Sequence, residues 1–162
     1  EYSQEDVSYI FEIRAALLAL AAGRCARLND NALKATFLEI VTNLESIAGD
    51  ESATPQAFAS ESVRAQLFLV NNSGNQRLPE LYERLAGMGT WQLIRGRSMS
   101  FLTADDRQQS AADWRQLATA ITLGSQVKAE RAARQLLEHS AVRVRANLAR
   151  IGQSEEPVSS LG

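Results

Sequence analysis

The sequence predicts an all-α fold, an antiparallel bundle of about six helices. Three observations carry that expectation. Apolar residues recur at three- and four-residue spacing through most of the chain, the signature of helices with one buried face. The 162 residues include only three prolines and nine glycines, with 6% aromatics, too few turn signals and strand formers for a sandwich or barrel. Short polar clusters rich in Ser, Thr, Asn and Asp punctuate the apolar stripes, as helix caps do.

Ser3-Gln-Glu-Asp6 reads as a capping box that opens a first helix over about 6 to 28. Asn29-Asp-Asn31 supplies a stop and a new N-cap. Leu33, Phe37, Ile40, Val41, Leu44 and Ile47 then give the second helix its stripe. At Thr54-Pro55 the threonine caps and the proline fills the first position of a third helix, which runs to about Asn72. Ser73-Gly-Asn75 breaks it, with glycine suited to a left-handed C-cap.

A fourth helix is expected over about 76 to 98, with Leu78, Leu81, Leu85, Met88 and Ile94 apolar and Gly87 and Gly89 as weak points. Thr103-Ala-Asp-Asp106 is another capping start, for a fifth helix with Trp114, Leu117, Ala118 and Ile121 inward and an end at Gly124. Ser125 caps a sixth helix to about 151, with Ala129, Ala133, Leu136, Val144 and Leu148 inward. The expected domain is 1–152, and 153–162, polar and aperiodic, reads as a flexible tail.

A hydrophobic fraction of 45%, a charged fraction of 22% and a net charge of −2 are ordinary for a globular domain and lack the basic field of a self-sufficient nucleic-acid binder. Arg143, Arg145 and Arg150 read as a solvated face. One cysteine, Cys25, excludes an internal disulfide and a cysteine zinc cluster, which favours a reducing, cytoplasmic setting. The longest apolar run, Ala15 to Ala22, is too short to cross a bilayer. A first residue of Glu1 rather than methionine suggests a fragment or processed product.

Polar residues within the apolar stripes are the candidates for function, because a buried polar group needs a partner or a ligand. Arg14 falls among Ile10, Ile13, Leu17, Leu18 and Ala21. It calls either for an internal salt bridge, to Glu12 or a facing acid, or for a carboxylate ligand gripped by its two parallel donors. Ser62 and Gln66 stand one helical turn apart and share a face; alone, Gln66 reads as a satisfied polar residue. Arg95 continues the row of Leu81, Leu85, Met88 and Gln92, and could stack on Trp114 of the next helix, whose other reading is core packing. His139, the single histidine, lies off the Ala133, Leu136, Ser140 row and is expected to face solvent. No phosphate loop, nucleophile elbow or metal-spaced histidine pair is present, so no enzyme is expected.

From Val7 to Leu148 the chain resembles the C-terminal effector (FCD) domain of GntR-type bacterial transcription regulators of the FadR subfamily. Glu12-Ile-Arg14-Ala-Ala-Leu17 with Ala21-Ala22 matches the family's opening E-x-R-x-x-L-E-x-x-A-A, except that Leu18 replaces the second glutamate. Ser73-Gly74-Asn75 matches the turn that follows D-x-x-F-H, whose aspartate, phenylalanine and histidine positions hold Ser62, Ala65 and Gln66. Asp113-Trp114 and Leu117 through Gly124 fit E-H-x-x-I-L-x-A-I-x-x-G-D, with Trp114 in place of histidine; the last family histidine falls on Leu136.

The resemblance implies a bundle with a central ligand pocket, a homodimer, and a preceding winged helix-turn-helix domain through which DNA is bound. It places the family's metal-ligand positions at Ser62, Gln66, Trp114 and Leu136; these side chains remove the anionic and imidazole donors together, so a metal-free pocket and no cofactor are expected. A small organic acid would then meet Arg14, Ser62, Gln66, Arg95, Trp114 and Leu136. The competing expectation is a dimerisation or interaction module whose former pocket is filled by Trp114 and Leu136.

Overall fold

The computed structural model describes residues 4–155, which form seven helices and no strand. They are α1 (Gln4–Leu28), α2 (Asn31–Ala48), α3 (Pro55–Asn72), α4 (Leu78–Ala86), α5 (Gly89–Gly96), α6 (Ala104–Thr122) and α7 (Gln126–Glu155). Helix α1 is the hub: it lies along α7 for most of its length and also touches α3, α4, α5 and α6. Its small side chains allow this. Ala15, Ala19, Ala22 and Ala26 are buried, and a Cβ on Gly23 would come within 2.8 Å of the Glu130 Cγ on α7. Helix α2 closes the other side of the core against α3 and α6.

Local chemistry sets the helix ends. The Asp30 carboxylate accepts from the backbone N–H groups of Ala32 and Leu33, and Asn29 takes the left-handed conformation that stops α1. Thr54 Oγ1 accepts from Ala57 N at 3.1 Å, with Pro55 at the first helical position. Gly74, at φ 78°, turns the chain after α3. Thr103 and Asp106 form a complete capping box on α6. Ser3 of the expected first capping box lies outside the described residues. So do 156–162 of the expected tail, whose first three residues continue α7 to Glu155.

Two expectations need correction. The single helix over 76 to 98 is two, because Met88 leaves helical geometry at ψ 134° between Gly87 and Gly89. Within α4 the buried face is Leu78, Tyr82 and Leu85 rather than Leu81, and after the break Trp91 and Ile94 turn inward; Leu81 and Met88, placed in the stripe by sequence spacing, are about half exposed. Arg143 does not belong to a solvated face either. It is buried between α7 and the segment after α5, where Nε donates to the Ser100 carbonyl and Nη1 to Gln109 Oε1, both at 3.0 Å.

Candidate functional site

The functional candidates converge where α1, α3 and α5 meet. Arg14 enters from α1, Ser62 and Gln66 from α3, Trp91 and Arg95 from α5, and Leu136 and Ser140 from α7. Together with Ser98, Ser100 and Ser110 they line a cleft that contains two arginines and no acid. Its cavity volume is about 30 Å³, room for about two water molecules.

Arg14 is buried, and the salt bridge that its position called for is absent: Glu12 points to solvent. Instead Nη2 donates to Gln66 Oε1 at 3.0 Å, and the guanidinium carbon lies 4.3 Å from the centre of the Trp91 ring and 4.8 Å from that of Phe11. Stacking of this kind holds a cation in an apolar setting without neutralising it. Gln66 Oε1 also accepts from the Tyr82 hydroxyl, so both of its lone pairs are used. Burial pushes the Arg14 guanidinium down, the nearby Tyr82 opposes that, and the Arg95 cation adds to the downward push. Burial likewise pushes the Tyr82 phenol up, which keeps it a neutral donor.

Two buried donors on this cleft lack partners: Arg14 Nε and Ser98 Oγ. Ser98 reaches its place through a left-handed backbone, φ 51°, unusual for a residue with a side chain. Arg95 is exposed at the rim. An excess of N–H and O–H donors, two of them on cations, suits an acceptor-rich anion such as a carboxylate.

Of the six residues marked out by the sequence, Arg14, Ser62, Gln66, Arg95 and Leu136 line the cleft, and Trp114 does not. Trp114 is fully buried in the core, edge-on to Phe37 at 6.2 Å between ring centres, with Nε1 unpartnered. The indole beside the arginines is Trp91. Sequence reasoning missed both Trp91 and Tyr82, although Trp91 stands four residues before Arg95 and Tyr82 four after Leu78, spacings that share a helix face.

The family's metal does not fit these residues. Gln66 Oε1 is saturated by two donors, Leu136 has no ligating atom, and the indole of Trp114 lies in the core and offers only an N–H. A guanidinium occupies the neighbourhood and repels a second cation. Among the described residues no three His, Cys, Asp or Glu side chains cluster as metal ligands. His139 is only partly exposed, and its Nδ1 lies 2.8 Å from the buried Asp113 carboxylate, which ties α7 to α6. Neither residue lines the cleft.

No described helix is long and apolar enough to cross a membrane. The FCD domain family model matches residues 9–139, and no curated protein matches the chain.

Proposed function

Since the chain belongs to the FCD domain family of transcription-regulator domains, we propose that it is a ligand-sensing and dimerising domain whose effector is a small organic acid bound without metal. The observation that carries this reading is the pair of orphaned donors, Arg14 Nε and Ser98 Oγ, on a cleft with two arginines and no acid. One carboxylate oxygen satisfies Arg14, the other Ser98, and Arg95 closes from the rim. The ligand's charge would offset the desolvation of Arg14, so binding would favour whichever arrangement buries Arg14 against α3 and α5. The DNA-binding domain that this reading requires is a winged helix-turn-helix joined ahead of α1, and α1 is the element both touched by the ligand and connected to it.

Pairing of two copies is part of the proposal. On α1 the exposed residues Tyr9, Ile13, Ala16 and Leu20 follow one another at alternating four- and three-residue steps, a coiled-coil seam. A twofold axis near Ala16 sets Ile13 of one copy beside Leu20 of the other, and the acidic first turn, Glu5 and Asp6, beside the basic last turn, Arg27. With Ile13→Glu and Leu20→Glu combined, light scattering should read a monomer; an unchanged dimer would exclude this seam.

The small cavity volume favours the second reading, a filled module that pairs but does not sense. Calorimetry with acetate and longer carboxylates separates the two. Wild-type protein should bind a carboxylate, and Arg14→Met should lose at least tenfold in affinity while remaining folded by circular dichroism. Equal affinity in the two proteins would remove Arg14 from the site.

A further inference from the structure

The inner cleft is too small for a metabolite, yet it is not isolated. A groove of about 300 Å³ runs between α3 and α4, within the range of small-molecule sites. It shares Val63, Gln66, Trp91 and Arg95 with the cleft. Gln66 and Trp91 are buried and fixed by their contacts, whereas Arg95 is exposed, so its side chain is the movable part of the shared wall. The remaining groove surface is mostly apolar: Leu67, Pro79 and Ala86, with the Tyr82 ring. Leu67 is 39% exposed, apolar surface left open to water.

We propose that the two spaces are one bipartite site, and that the effector is a monocarboxylic acid with an apolar body. This deepens the acid-sensing reading and rests on it. The inner cleft admits the carboxylate and little else, because about 30 Å³ accommodates a group of that size next to Arg14 and Ser98. The rest of the molecule leaves past Arg95 and lies along Leu67 and Ala86. Glu83 at the groove's edge disfavours a second carboxylate there, so a dicarboxylate gains nothing by its length.

The test is a calorimetric series on the intact chain with acetate, butanoate, hexanoate and succinate, repeated in Leu67→Asp, Ala86→Trp and Arg14→Met. Affinity should tighten about fourfold per methylene buried in the groove. Leu67→Asp and Ala86→Trp should leave acetate unchanged and flatten the chain-length dependence; Leu67 is exposed, so its variant serves even where Ala86→Trp folds poorly. Equal affinity for acetate and hexanoate, tighter binding of succinate than of butanoate, or an unaltered length dependence in Leu67→Asp each overturns the bipartite site while leaving the Arg14 anchor standing. Failure of every acid to bind overturns the acid-sensing reading itself, and acetate binding that ignores Arg14→Met overturns the Arg14 anchor and the bipartite site with it.

Discussion

Arg14 and Arg143 are both buried, each has one fully buried guanidinium nitrogen without a partner, and they are built into opposite kinds of surroundings. Around Arg143 the protein supplies acceptors: the Ser100 carbonyl, Gln109 Oε1 and, close by, the carboxylates of Asp113 and Asp106. Burial pushes its guanidinium down, and those two acids push back. Around Arg14 the protein supplies one amide oxygen, the nearby Tyr82 hydroxyl, two aromatic faces and a second cation, but no carboxylate. A buried cation provided with anions is a structural brace. One provided with stacking surfaces and no acid is where the proposed carboxylate would supply the counter-charge, and that asymmetry separates the α6–α7 seam from the α1–α3–α5 cleft.

The brace acts on the segment between α5 and α6. Three side chains hold its carbonyls: Arg143 at Ser100, Asn147 at Met99 and Arg107 at Phe101. This fixes Ser98 and Ser100 as cleft wall, so the braced region sets the geometry of the cleft.

The largest effect expected from breaking the contrast is in Arg143→Met, which strips the segment of a donor and leaves Asp113 and Asp106 without their nearby cation. It should cost about 3 kcal/mol in urea unfolding. Arg14→Met, by contrast, removes a cation that has no acid and should leave ligand-free stability within about 1 kcal/mol of wild type, or raise it. Should Arg14→Met prove the more damaging of the two, Arg14 is a brace as well and the distinction collapses.

Ser98→Gly sharpens the same point on a smaller scale. Glycine accepts the left-handed backbone and removes an unpartnered hydroxyl, so thermal unfolding should report a gain of about 1 kcal/mol. Carboxylate affinity should fall at the same time. A stabilised protein with unaltered affinity would mean that Ser98 strains the backbone without serving the ligand.

The smallest effect belongs to a charge pair in water. Arg115 grips Glu45 across α6 and α2, and its hydrogen bonds hold the Glu45 carboxyl below the usual carboxylate range. A depressed folded value means that the contribution is complete above the unfolded pKa, about 4.3, and lost as pH falls through the folded one. At this exposure it is worth at most about 1 kcal/mol. Glu45→Gln should therefore lower stability slightly at neutral pH and not at all in strong acid; an equal loss at both would point to packing rather than charge.

Much of this was legible in the chain. Apolar periodicity and caps such as Asp30, Thr54 and Thr103 place six helical segments, and Arg14 stands out as a charge inside a stripe. The break at Met88 was less legible, because glycine lowers helix propensity without dictating where the ladder stops. A single row drawn across that break passes over Trp91, and which indole stands beside Arg95 depends on packing between helices, so Trp114 was placed where Trp91 stands.

The sequence by itself determined the class of the fold, the family, and the absence of carboxylate and imidazole at Ser62, Gln66, Trp114 and Leu136, since these follow from periodicity, motif order and the chemistry of single side chains. Tertiary structure alone decided which buried arginine is neutralised. Arg14 and Gln66 are 52 residues apart, and Arg143 and Ser100 are 43 apart. Whether a charge finds an acid or an aromatic face depends on which helix packs against it, and no local pattern encodes that contact.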